Sequence, residues 1–148
     1  MNRFATAACC GILFCLAAGS AWAADCVPTV RDGWIRVPPG GMQMMLAGYG
    51  RIENNCPGAV TIVSANSDAF ADVSLHRTSL VAGVSRMRAV PELQVTANGA
   101  AVFAPGALHL MLMQPGKPLK PGDHVLVDFR LKDGRHVRGD FIVRPMGE

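Results

Sequence analysis

Charged residues are scarce in this sequence, and no run of one sign occurs. Asp, Glu, Lys and Arg make up 17% of the 148 residues, and the formal net charge is only +3. A nucleic-acid-binding surface needs clustered basic residues, and only Arg86 and Arg88 give a local hint of one. We interpret that pair as an ordinary solvated stretch of strand or loop. The charge pattern therefore argues against nucleic acid as a ligand.

Residues 1–23 have the features of a secretory signal peptide. Arg3 supplies the positive start, a short apolar run follows, and Ala21-Trp22-Ala23 is an A-x-A cleavage site. The apolar run is short for a membrane span, which favours a cleaved signal over a membrane anchor. We therefore expect an exported, periplasmic chain of residues 24–148. That length suits one domain with a single core.

Cysteine is also scarce once this segment is removed, because only Cys26 and Cys56 remain. A pair of cysteines in an exported protein predicts one disulfide. It would close a loop of about thirty residues and stabilise the fold by roughly 3 kcal/mol. A redox-active or metal-binding dithiol is the alternative, but the pair lacks the C-x-x-C spacing.

No segment has a sustained apolar period of 3.6 residues, so we expect little helix. Short alternating or Val/Ile-rich stretches instead follow one another, separated by turn residues. The clearest pair flanks Asp133-Gly134, which we predict to supply the positive-φ residues of a hairpin turn. The pattern predicts an all-β, single-domain Greek-key sandwich or barrel. The predicted strands are residues 32–37, 46–54, 59–65, 72–78, 85–89, 92–96, 100–104, 107–113, 124–131 and 137–143.

Two histidines and three methionines are concentrated in one stretch. The spacing is His76-x10-Met87-x21-His109-x-Met111, and Met113 follows two residues later. Leucines alternate with the last three of these residues, as in a half-buried strand whose open face carries the His and Met side chains. Imidazole nitrogen and uncharged thioether sulfur suit a soft, singly charged metal, above all Cu(I).

The first half of this stretch shows a related pattern. Val73 and Leu75 alternate with His76, so we expect His76 to lie on the polar face of a strand. Met87 lies between two arginines, which favours a strand edge or a loop over the core. The sequence therefore predicts that the His and Met side chains meet at the surface of a small β-domain.

Simpler explanations exist for each residue taken alone, since a lone His is usually a surface residue and a Met usually fills the core. We interpret His124 and His136 as surface histidines. Met42, Met44 and Met45 form a second methionine cluster in a Gly-rich loop. That loop could hold a second, weak Cu(I), but we prefer loop packing as its explanation.

The spacing H-x10-M-x21-H-x-M resembles the signature of the periplasmic PCu(A)C copper chaperones. His76, Met87, His109 and Met111 match its four positions without a gap. The resemblance covers nearly all of the chain after the signal segment, and Gly33-Trp34-Ile35-Arg36 looks like the family's opening. It implies a cupredoxin-like β-barrel that binds Cu(I) through those two histidines and two methionines.

The resemblance also implies a role as a metallochaperone. Its cargo would go toward the binuclear copper centre of cytochrome c oxidase, with the copper-site subunit or a thioredoxin-like Sco-type protein as partner. The chain lacks the His- and Met-rich C-terminal tail of some members, and its cysteine pair is not part of the signature. A copper-scavenging or tolerance protein and a metal-free β-sandwich interaction module are the alternatives. We do not expect an enzyme, since paired carboxylates and a nucleophile motif are missing.

Overall fold

The computed structural model describes residues 26–40 and 43–147, and the expected signal peptide lies outside them. The described residues form ten β-strands, in agreement with the all-β prediction. Among them, no helix is long and apolar enough to cross a membrane. The strands are β1 (Thr29–Val37), β2 (Met45–Asn54), β3 (Val60–Asn66), β4 (Phe70–Val81), β5 (Val84–Ala89), β6 (Leu93–Val95), β7 (Gly99–Phe103), β8 (Leu108–Pro115), β9 (His124–Leu131) and β10 (His136–Pro145).

Seven of these strands close into a barrel. They follow one another in the order β4, β8, β2, β1, β10, β9 and β3, and a pairing of Ala65 on β3 with Val73 on β4 completes the ring. β1 and β10 are parallel, whereas the other neighbours in the ring are antiparallel. β5, β6 and β7 attach to β4, β3 and β2 respectively. The prediction of a single-domain, cupredoxin-like β-barrel is confirmed.

The core fills the inside of the barrel because successive side chains of each strand point to opposite faces. On β8, Leu108, Leu110 and Leu112 are at most 3% exposed, as the leucine alternation predicts. They pack in one cluster with Phe129 and Phe141 from the far side of the ring. Burying each of these side chains stabilises the fold by roughly 1.5–3 kcal/mol, so the orientation of β8 is strongly determined.

A disulfide joins Cys26 to Cys56, as predicted, with 5.6 Å between the Cα atoms. Cys56 lies in the turn after β2, which the fully buried Asn54 organises. The Asn54 side-chain amide donates to the carbonyl of Gly58 at 2.9 Å, and its oxygen accepts from the Cys56 amide at 3.2 Å. Since both sulfurs are bonded to each other, neither cysteine offers a thiolate to a metal.

The β9–β10 hairpin is present, but its turn differs in detail from the prediction. Gly134 has a φ of +91°, whereas Asp133 does not have a positive φ. The Gly134 amide donates to the Leu131 carbonyl, and the Leu131 amide donates to the Arg135 carbonyl. This is a type I turn followed by a left-handed glycine, so only the second residue of the Asp-Gly pair needs positive φ.

The β4–β5 hairpin has the tight two-residue turn instead. Val81 pairs with Val84, and the intervening Ala82 and Gly83 have φ values of +50° and +77°. Two consecutive positive φ values define a type I′ turn, which is unusual for alanine. The turn sets the register of β5 against β4, so the position of every β5 side chain depends on it.

Replacing both Cys26 and Cys56 with serine should lower the free energy of unfolding by about 3 kcal/mol. The disulfide closes a loop of 30 residues in sequence, and opening it gives entropy back to the unfolded chain. Urea unfolding followed by tryptophan fluorescence would measure the difference. Reduced wild-type protein is the matched control and should behave like the double variant. Equal stability of the oxidised wild type and the variant would contradict the prediction.

Candidate metal centre

The pairing of β4 with β8 brings the two motif histidines side by side. In the antiparallel register His76 lies directly opposite His109, and the ring centroids are 6.2 Å apart. Both side chains are half-buried on the outer face of the barrel. Val73 and Leu75 on the same stretch of β4 are buried, as predicted, so the inward residues of β4 hold the outward orientation of His76.

Met87 reaches this pair from the edge strand β5. It lies opposite Thr78, which shares the outer face of β4 with His76. Met87 is 49% exposed, in agreement with the predicted edge position. The Met87 Sδ atom lies 3.3 Å from Nε2 of His109. The long methionine side chain therefore extends across β4 to the imidazole of β8.

Met111 and Met113 continue the outer face of β8 beyond His109. Met111 lies opposite Ser74 on β4 and Ala47 on β2, and both methionines are half-buried. Met111 lines a cleft of about 220 Å³ together with Met87 and His109. The complete lining of this cleft, the methionine cleft, is Arg36, Pro38, Met45, Leu46, Ala47, Met87, His109, Met111 and Met146. His76 lies beside the cleft, across from His109.

Hydrogen bonds determine which nitrogen of His109 is free. Its Nδ1 atom lies 2.9 Å from the carbonyl oxygen of Ala107. Because a carbonyl can only accept, Nδ1 carries the proton and Nε2 keeps its lone pair in the neutral ring. That lone pair points at the sulfur of Met87, which is itself a lone-pair donor. Two lone pairs that converge in this way suit a shared cation better than a hydrogen bond.

A polar chain on β4 orients His76 in a similar manner. The Ser74 hydroxyl donates to Asp72 Oδ2 at 3.3 Å, so the Ser74 oxygen is left to accept from Nε2–H of His76 at 3.2 Å. The free lone pair is then on Nδ1. This atom is buried and has no hydrogen-bond partner, which is costly unless something else binds it. A metal ion would satisfy it.

Burial is the main reason that the pKa of His76 is lowered from its ordinary value. The neighbouring His109 lowers the pKa further, and the Asp72 carboxylate opposes both effects. The neutral ring that can bind a metal is therefore favoured at His76.

The donor set fits a soft metal ion. Bonds of about 2.0 Å to nitrogen and about 2.3 Å to sulfur at a tetrahedral angle would separate the two donor atoms by about 3.5 Å. The observed separation between His109 Nε2 and Met87 Sδ is 3.3 Å. Within residues 26–40 and 43–147, no group of three or more His, Cys, Asp or Glu side chains could hold a metal ion. The thioether sulfurs of Met87 and Met111 are further soft donors beside His109 in the methionine cleft.

Several residues of this centre were not predicted. The carbonyl of Ala107 and the Asp72–Ser74 pair orient the histidines, although only the i, i+2 spacing of Ser74 and His76 hints at this in the sequence. Arg36 on β1, Pro38 just after β1 and Met146 just after β10 line the methionine cleft from segments far away along the chain. Arg36 also stacks over the ring of Tyr49, with 5.4 Å between its guanidinium carbon and the ring centroid.

The remaining histidines lie apart from the centre. His124 contacts Asp140 at 2.7 Å, and His136 contacts Asp128 at 2.8 Å, both on the exposed face of β9 and β10. Burial acts to raise the pKa of Asp128, but hydrogen bonds from His136 and Arg138 lower it overall. Both His124 and His136 are surface histidines, as the sequence suggested.

Met44 and Met45 of the second methionine cluster lie in different clefts. Met44 lines a separate cleft with residues at the end of β8 and in the loop that follows, whereas Met45 lines the methionine cleft. Met42 lies outside the described residues. Loop packing therefore does not explain the presence of Met45, because this residue lies on β2 and is 56% exposed.

Comparison with known proteins identifies the class to which this barrel belongs. Its fold is that of PCuAC domains, the family suggested by the motif. The solution structure of apo-DR1885 from Deinococcus radiodurans is 25% identical, with a TM-score of 0.63 over 100% of this chain and 99% of that one. Its Cu(I) form is 26% identical, with a TM-score of 0.64 over 88% of each chain. The copper-bound PCuAC domain of PmoF2 has the same fold, at 18% identity and a TM-score of 0.62 over 78% of this chain and 91% of that one.

The chain itself belongs to the LpqE-like family, described as "Putative lipoprotein LpqE-like", whose pattern matches residues 28–143. A curated relative is "Putative lipoprotein Lxx21020" of Leifsonia xyli subsp. xyli, which is 31% identical over 106 residues. The match covers 71% of this chain but only 62% of that protein's length.

The hydrogen bonds predict different tautomers for the two central histidines. In the neutral, metal-free protein, His76 should carry its proton on Nε2 and His109 on Nδ1. Long-range ¹H–¹⁵N correlation spectra at alkaline pH would distinguish them by the shifts of the ring nitrogens. His124 and His136, whose Nδ1 atoms face carboxylates, are internal references for the Nδ1-protonated form. A proton on Nε2 of His109 would contradict the arrangement.

Proposed function

We propose that the protein is an exported Cu(I)-binding metallochaperone. The observation that carries the proposal is the convergence of unlike donors on one open face. His109 Nε2 lies 3.3 Å from Met87 Sδ, His76 lies directly across the strand pair, and Met111 lines the same cleft. His76, Met87, His109 and Met111 are the proposed ligands.

The chemistry of these donors favours Cu(I) among the common metals. Thioether sulfur is soft and uncharged, and it is a poor ligand for hard divalent ions. A blue-copper electron-transfer site needs a cysteine thiolate beside two histidines, and both described cysteines are joined in the disulfide. A carrier of reduced copper therefore fits the donor set better than a redox protein.

The exposure of the donors favours transfer over storage. Met87 lies on β5, which is an edge strand among the described strands, pairs with β4 and has six exposed residues. Neutral ligands leave the charge of the bound ion uncompensated, so a partner that offers thiolates could extract it. Such a partner could replace Met87 first, since this ligand is the most accessible of the four. Release of the ion to a partner is the behaviour of a carrier, so we propose that the protein carries copper and has no catalytic activity.

The similar proteins support two parts of the proposal, namely copper as the cargo and export of the chain from the cytosol. The solved structures of DR1885 and of the PmoF2 domain include copper-bound forms. The family and its curated relative are both named as lipoproteins, and a disulfide is typical of oxidising compartments outside the cytosol. We infer a periplasmic location for the chain after removal of residues 1–23.

The direct test of the ligands is an anaerobic Cu(I) titration against a chromophoric chelator. Wild-type protein should take up one tight equivalent. Ala at position 76, 87, 109 or 111 should weaken binding by more than about 100-fold, since loss of even an outer partner of a metal ligand costs about 10- to 100-fold.

Matched controls for this titration are His124→Ala and Met44→Leu, which change the same residue types outside the centre. Both should bind Cu(I) as tightly as the wild type. If the wild type competes no better than a variant lacking all four ligands, the protein is a metal-free β-domain and an interaction module becomes the better explanation.

For the destination of the copper, we propose the binuclear copper centre of cytochrome c oxidase, directly or through a Sco-type protein. A deletion strain should then lose oxidase activity at low copper and regain it when copper is added. Complementation with the wild type or His124→Ala should restore the activity, whereas His109→Ala should not. Normal oxidase activity combined with poor growth at high copper would contradict delivery and favour a role in copper tolerance.

A further inference from the structure

A row of side chains crosses the barrel next to the motif residues. Met45 on β2 lies directly opposite Met113 on β8, and Met113 lies directly opposite Asp72 on β4. The three residues are therefore neighbours on the outer face, two positions along β8 from Met111. Strand geometry places this row about 7 Å from the row of Met111, since each residue advances the strand by about 3.4 Å.

The core does not account for Met45. Met45 is 56% exposed. Its neighbour Leu46 is only 3% exposed and fills the core position in this part of β2. An exposed methionine on a strand gains little from the hydrophobic effect. Its side chain lines the methionine cleft, in which Met146 also lies and is 56% exposed.

The geometry of the row suits a soft cation. Directly opposed residues of an antiparallel pair have Cβ atoms about 4.5–5.5 Å apart, and methionine has three rotatable bonds with which to direct its sulfur. The sulfurs of Met45 and Met113 can therefore approach one ion between them. The exposed Asp72 on the other side of Met113 adds a negative charge, which the four motif ligands do not supply.

We propose that Met45 and Met113 form a second, weaker Cu(I) site beside the motif site, with Asp72 as the nearby negative charge. It lacks imidazole donors, so it binds more weakly than the site around the histidines. Copper arrives at or leaves the motif site through this position, by exchanging one thioether for the next along β8. Since it takes the same cargo, this second site depends on the proposed function.

The test is an NMR titration of full-length mature protein that carries ¹³C-labelled methionine methyl groups. Ag(I) serves as the probe because it is a soft monovalent ion that air does not oxidise, and anaerobic Cu(I) is then used as a check. The first equivalent should shift the methyl signals of Met87 and Met111. The second equivalent should shift those of Met45 and Met113 and leave Met44 in place.

Conservative variants assign the second step to this site. Met45→Leu and Met113→Leu keep the side-chain volume and remove the sulfur, so each should weaken the second step at least tenfold and leave the first within about twofold. Met44→Leu is the matched control, since Met44 is 54% exposed, adjoins Met45 and lines a different cleft. It should change neither step.

The outcomes separate this site from the proposed function. If the first equivalent shifts Met87 and Met111 but further metal leaves Met45 and Met113 unmoved, the second site is overturned and the proposed function stands. If later equivalents shift Met44 as much as Met45, binding is unspecific and the second site is also overturned. If no equivalent shifts Met87 or Met111, the proposed function itself fails.

Discussion

The antiparallel pairing of β4 with β8 is the constraint on which the proposed metal centre depends. It places His76 opposite His109, Ser74 opposite Met111 and Asp72 opposite Met113. The buried leucines of β8 hold this register, because a slip by one residue would turn them to the solvent and the donors into the core. Packing of the hydrophobic core thus also determines where the donor side chains of the proposed metal centre lie on the outer face.

The two histidines of the proposed centre are held more firmly than Met87. Both histidines lie on strands of the closed ring, and each ring is oriented by hydrogen bonds that leave one lone pair free. Met87 instead lies on the exposed strand β5, at the edge of the sheet formed by the described residues. Segments with few buried contacts open at low free-energy cost. The proposed ligand set would thus bind an ion and release it to a competing ligand, as the proposed carrier role requires.

Much of this arrangement could be predicted because strand side chains alternate with a period of two. The alternation of leucine with His109 and Met111 was sufficient to assign the buried and open faces of β8, and the ten strands follow from similar local patterns. The edge position of Met87 was also predictable from its two arginine neighbours. These features are local, so a single sequence contains them.

Other features depend on contacts between distant segments, which local patterns do not contain. The tight turn at Ala82-Gly83 was not predicted because alanine seldom adopts positive φ, yet this turn determines where Met87 lies. The pairing of Met45 with Met113 joins residues that are distant along the chain, so the local sequence pattern indicates only loop packing for Met45. The hydrogen bond from His109 to the Ala107 carbonyl involves the backbone and has no side-chain signature.

The central claim is that two imidazoles and two thioethers hold one Cu(I). X-ray absorption spectroscopy at the copper edge, on protein loaded with one equivalent of Cu(I), tests it most directly because it reports the donor atoms themselves. We predict a reduced copper ion with about two nitrogen neighbours near 2.0 Å and about two sulfur neighbours near 2.3 Å. A shell made only of nitrogen and oxygen, or only of sulfur, would contradict the account.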